Sequence, residues 1–102
     1  MSTLHTINKS PFERSAMASC LAHLKAGDAV LIIEDGVVGA RKATAFAATI
    51  SAAMGDAEVY VLGPDLQARG MNEGDLVDGV KVVDYDGFVD LVTAHDRTQA
   101  WL

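Results

Sequence analysis

Hydrophobic residues in this chain alternate between short β-branched runs and longer stretches where they recur every three or four positions, which predicts strand and helix in turn. Residues 3–7, TLHTI, read as a strand. The turn NKSP follows, with Ser10 suited to a helix N-cap and Pro11 to the first helical position. A first helix is predicted from Phe12 to Lys25, with Met17, Leu21 and Leu24 on one face, before Gly27 and Asp28 end it. AVLIIE at 29–34 is an unbroken apolar run, the pattern of a strand covered on both faces. EDGVVGA turns into a second helix, Gly39 to Met54, whose stripe is Ala43, Phe46, Ile50 and Ala53 and which Gly55 stops. EVYVL at 58–62 is a third strand, and Gly63-Pro64-Asp65 opens a short helix through Ala68 that Gly70 closes. After an acidic loop at 71–79, VKVVD at 80–84 gives a fourth strand. A helix from Asp86 to His95 then carries Phe88, Leu91 and Val92, and the terminal QAWL supplies a short edge strand.

Four alternations of strand and helix predict one α/β domain over residues 1–102: a small three-layer α/β/α arrangement with a mainly parallel sheet of four to five strands. The second helix complicates that picture. Its outward side offers Arg41, Lys42, Thr44, Thr49 and Ser51 with alanines between them, a surface that permits close approach by another protein. Half of the 102 residues are hydrophobic, more than a domain this small hides by itself, so burial against another subunit is expected.

Charge and compartment narrow the function classes. The net charge is −6, and residues 56–96 hold ten acids against only Arg69 and Lys81. Direct nucleic-acid binding needs a positive surface, which this pattern lacks. No apolar run reaches the roughly 18 residues of a membrane span, and Lys9, Glu13 and Arg14 interrupt any signal-peptide pattern. The expected location is therefore cytoplasmic, where thiols stay reduced.

In an open parallel sheet, ligands sit at the carboxyl ends of the strands. Those ends are Asn8-Lys9-Ser10, Glu34-Asp35-Gly36, Gly63-Pro64-Asp65 and Asp84-Tyr85, an acidic rim that disfavours a nucleotide phosphate. Asp35 is expected to cap the second helix and Gly36 to relax the turn. A weaker reading makes Lys9, Ser10 and the Gly36 turn a small-anion module. His5, within the first strand, is expected to be a hydrogen-bonded interior residue, and His95 to complement the dipole at the end of the last helix. The histidines and the lone cysteine are too scattered for a metal set. That leaves Cys20, three residues before His23 and in mid-helix, where the helix dipole does little to activate a thiol. It reads either as a buried inert thiol or as a persulfide carrier. In the second case its thiolate attacks the outer sulfur of an incoming persulfide, holds it and passes it on, with no cofactor.

Taken together, LHTINKSPF at 4–12, GDAVLIIEDGV at 27–37, VYVLGPDLQARG at 59–70, VVDYDGFVDLV at 82–92 and Trp101 resemble the DsrH/TusB subunits of sulfur-relay complexes. The resemblance spans nearly the whole chain. It implies the same small α/β fold and a heterohexamer containing two copies each of this chain and of related DsrE-like and DsrF-like subunits. It also implies a small sulfur-acceptor protein of the DsrC type, with no direct nucleic acid and no membrane. Subunits of the intracellular sulfur-oxidation branch are similar to this chain in having a cysteine in the first helix, whereas those serving 2-thiolation of the tRNA wobble uridine can lack it. Cys20 tilts the resemblance towards sulfur oxidation, with persulfide relay between protein cysteines as the implied activity. In both branches the better-established carrier cysteine lies on a sister subunit, so a non-catalytic structural role remains the alternative.

Overall fold

The computed structural model describes residues 2–102 and contains one sheet of five strands: β1 (Thr3–Ile7), β2 (Ala29–Ile32), β3 (Glu58–Leu62), β4 (Lys81–Val83) and β5 (Arg97–Trp101). The strand order is β4-β3-β2-β1-β5, and every pairing is parallel. The connecting helices are α1 (Ala16–Ala22), α2 (Ala47–Ala53), α3 (Gly63–Ala68) and α4 (Tyr85–Ala94). Two 3-10 turns, Glu34–Ala40 and Glu73–Asp75, complete the set.

Strand order explains the layers. The steps from β1 to β4 all move one way across the sheet, and the last step returns past all of them to β5. Crossovers of one hand then place α1 to α3 on one face and α4 alone on the other. The crowded face packs Ile7, Val30, Ile32, Val59 and Val61 against Met17, Cys20, Val37, Ile50 and Leu66. On the thin face, Leu4, Ala29 and Leu31 meet Phe88 and Leu91 of α4, which remain only half-buried. The continuous apolar run of β2 is accordingly buried at every position.

The fourth strand shrinks to Lys81–Val83 and the edge strand begins earlier, at Arg97. Three other predicted elements also differ in extent. The first helix is confined to Ala16–Ala22, not Phe12–Lys25. Residues 10–14 instead form a turn, in which the Ser10 carbonyl accepts from the amides of Glu13 and Arg14. That turn lies against Gly39, where a β-carbon would sit 2.6 Å from Pro11 Cγ. The second helix is shorter still, Ala47–Ala53 instead of Gly39–Met54. Its predicted first turns are drawn away by the acidic loop: Val77 donates to the Ala40 carbonyl and Lys42 to that of Asp75. Arg41 and Leu76 form an antiparallel bridge, and Ala43 takes a left-handed φ of 67°. The strand at 29–34 stops at Ile32, because Glu34 adopts φ 50° and opens the 3-10 turn. By contrast, the third strand and third helix occur over the predicted residues, and Asp84 caps α4 by accepting from the Gly87 amide.

Candidate functional site

Cys20 points inward from α1 onto the crowded face and has no solvent exposure. Burial, then repulsion from the Asp28 carboxylate, pushes its thiol up to about 12, so the nucleophilic thiolate is suppressed at neutral pH. His23 does not relieve this. It is exposed, and its Nδ1 donates to the Ser19 carbonyl at 2.6 Å, the contact of a residue turned along its own helix. In this chain by itself the sulfur fills apolar space and meets no reactive partner among the described residues.

The carboxyl rim is closed on itself. Asp35 does not cap a helix, as expected from sequence; its carboxylate holds the Arg69 guanidinium at 2.7 Å. Asp65 accepts from the Glu34 amide at 2.6 Å, tying the first 3-10 turn to α3. Gly36 is required by close approach, since a β-carbon there would lie 2.7 Å from the Ile7 carbonyl oxygen. The small-anion module read from Lys9, Ser10 and Gly36 is therefore not formed: the buried Ser10 hydroxyl accepts from the Phe12 amide, and Gly36 packs against β1.

The most connected polar cluster lies at the opposite end of the sheet. Asp28, at the head of β2, is buried and accepts from the Thr3 amide at 3.0 Å, the Lys25 amide at 3.2 Å and His5 Nε2 at 2.9 Å. Burial acts to raise its pKa, but those hydrogen bonds and the attraction of His5 outweigh it and hold the carboxyl below its ordinary 3.8. Trp101 Nε1 donates to His5 Nδ1 at 3.0 Å. An indole N–H only donates, so His5 is assigned its proton on Nε2, facing Asp28. The expectation of a hydrogen-bonded interior His5 is met. His95, as expected, ends the last helix, donating from Nδ1 to the Leu91 carbonyl at 2.8 Å. Sequence reasoning missed the Asp28–His5–Trp101 chain, whose members come from β1, β5 and the residue just before β2; the one available signal was an aspartate directly preceding a buried apolar run.

Among the described residues, no group of three His, Cys, Asp or Glu side chains is placed to hold a metal ion, and no helix is long and apolar enough to cross a membrane. The outer side of α4 is unusual: Tyr85, Val89 and Val92 follow at i, i+4 and i+7 with exposures of 60%, 61% and 40%. On the other face, a groove between α1 and α2 is lined by Ala18, Leu21, Phe46 and Ala53, and Phe12 stands beside it, edge-on to Phe46.

Comparison with known proteins agrees with this architecture. Residues 9–98 match the family described as DsrH like protein. The chain is 34% identical over 98 residues to Protein TusB of Pectobacterium parmentieri, covering 96% of this chain and 99% of that one. It matches Protein TusB of Escherichia coli strain K12 to the same extent, 34% over 98 residues. Among solved structures, the ychN protein of E. coli superposes with a TM-score of 0.81 at 12% identity, over 98% of this chain and 99% of that one. A protein of unknown function from Methanobacterium thermoautotrophicum gives a TM-score of 0.71 at 22% identity, over 91% of both chains. Those two likenesses concern the fold alone.

Proposed function

Since this chain belongs to the DsrH-like family, we propose that it is a structural subunit of a cytoplasmic hetero-oligomeric sulfurtransferase that relays persulfide sulfur between protein cysteines. In this reading DsrE-like and DsrF-like sister subunits, two copies of each beside two of this chain, hold the carrier thiol. This chain positions that thiol for a small DsrC-type acceptor. The observation that carries the structural role is the burial of the Cys20 sulfur, whose thiol is held at about 12 and so supplies almost no thiolate at pH 7.

The exposed stripe of α4 supports assembly with a sister subunit. Asp86 and Asp90 flank it, so antiparallel packing against a second copy would bring like charges together, whereas a sister chain with basic residues there would not. The relatives' name, TusB, favours the branch serving 2-thiolation of the tRNA wobble uridine. A second reading, intracellular sulfur oxidation with Cys20 as persulfide carrier, is favoured by the presence of a cysteine in the first helix; it requires partner-driven opening of α1.

Loading the co-expressed complex with a persulfide donor and weighing each subunit tests the assignment. The expected result is a gain of one sulfur on a sister subunit and none on this chain. A gain on this chain that disappears in Cys20→Ala would instead make Cys20 the carrier. Alanine is the better replacement, because a serine would leave a hydroxyl among apolar neighbours.

A further inference from the structure

The amino ends of β1 and β2 and the inward side chains along β5 line a concave site that the sulfur-relay reading does not use. In β5, Arg97, Gln99 and Trp101 alternate onto the crowded face, because they pair with Thr3, His5 and Ile7 of β1. Lys25, just past α1, faces them across the hollow, and His23 flanks Trp101 with ring centroids 6.0 Å apart. Two cationic side chains from positions 25 and 97 thus converge on one hollow of a protein whose net charge is −6.

Neither cation is neutralised there. Arg97 spends only its Nε, which donates to the Thr3 hydroxyl at 3.1 Å. Both terminal guanidinium nitrogens lack a hydrogen-bond partner among the described residues. The Lys25 ammonium has no ion pair among the described residues. The carboxylate in the lining, Asp28, is already committed to two backbone amides and His5. Asp96, next to Arg97, accepts from the Ser2 amide at 2.8 Å. A guanidinium fork without a partner among the described residues, an ammonium and an indole ring line the same hollow, and together they supply the donors and positive charge that a tetrahedral oxyanion takes.

We propose that this hollow is a binding site for a small oxyanion, either free or as the phosphate group of a larger molecule, held by Arg97 and Lys25 against Trp101. The chain has one tryptophan, and it stands in the site, so its fluorescence reports occupancy.

Inorganic phosphate and a phosphomonoester are titrated separately into the full-length chain, with ionic strength held constant by chloride. Saturable change in tryptophan emission is expected with a Kd on the order of 1 mM for at least one probe. Arg97→Gln and Lys25→Gln should each weaken it by about tenfold. Lys81→Gln, which removes an ion pair with Glu58 elsewhere, should leave it unchanged. Binding of free phosphate alone identifies an inorganic ion, and equal or tighter binding of the monoester identifies a phosphorylated molecule; either result supports the site. No saturable change at about ten times the expected Kd, or an equal loss in Lys81→Gln, overturns it.

Discussion

The two faces of the sheet are built to different degrees of completion. On the crowded face, Met17, Cys20, Val37, Ile50 and Val61 have no solvent exposure, and three helices and a 3-10 turn seal them. On the thin face a single helix crosses the whole sheet. Its inward residues Phe88 and Leu91 are half-buried, while Tyr85, Val89 and Val92 on its outer side face solvent. The crowded face is a finished core, and the thin face presents apolar surface that water covers poorly. A domain that burdens its thinner layer with an exposed apolar stripe is shaped for a neighbour. This is the physical basis for placing the chain in an assembly.

The seal over the crowded face gives the largest expected effect. With its thiol near 12, Cys20 should react with a small alkylating agent at pH 8 about three orders of magnitude more slowly than an exposed cysteine. Iodoacetamide labelling followed by intact mass measures the rate. Labelling of the isolated native chain at the rate of free cysteine would refute the sealed core. Next, truncations should separate the faces: Ile50→Ala should lower unfolding stability by about 3–4 kcal/mol, and Leu91→Ala by about half that, because Leu91 leaves a smaller void. Urea denaturation of both variants checks the ratio, and equal losses would erase the distinction.

Asp28 anchors the crowded face at its amino edge. Asp28→Ala strands two amides and His5 and should cost about 2–3 kcal/mol. Because the folded-state pKa lies below the unfolded 3.8, this carboxylate contributes its full stabilisation above the unfolded value. That contribution declines as pH falls through 3.8 and is gone once pH is below the depressed folded value. Acid titration of stability should therefore show a wild-type decline in that window which the variant lacks. The smallest effect is at Ala43, exposed and left-handed at φ 67°. Ala43→Gly should raise stability by about 0.5 kcal/mol, since glycine relieves the backbone strain while loosening the unfolded chain. A drop in thermal midpoint would contradict that.

What was legible in the sequence follows from locality. The runs TLHTI, AVLIIE and EVYVL mark strands because β-branched residues report burial within five or six positions, and Gly63-Pro64-Asp65 marks α3 because proline favours a helix's first turn. The second helix defeated the same reasoning. Alanine propensity argued for helix from Gly39, but hydrogen bonds from Lys42 and Val77, across more than thirty residues of chain, hold Arg41 extended and end the helical path there. The candidate site divides the same way. Cys20 could be found by inspection, and a buried thiol is one of its two readings. The choice between them could not be made, because its place beside the Met17, Leu21 and Leu24 stripe does not say how completely the neighbouring elements close over it.

The amino-acid pattern by itself determined the α/β class, the parallel sheet, the fifth strand at the edge and the family, since each rests on short-range periodicity or on motifs read in order. Only the tertiary structure decided that Asp35 of the acidic rim pairs with Arg69, that Cys20 is sealed, and that Asp28, His5 and Trp101 join in one chain of hydrogen bonds. The reason is geometric: residues 5, 28 and 101 share no local period. They meet because the crossovers set β1 between β2 and β5, so that Asp28 at the head of β2 and Trp101 at the tail of β5 both reach His5 in β1, a constraint no window of sequence contains.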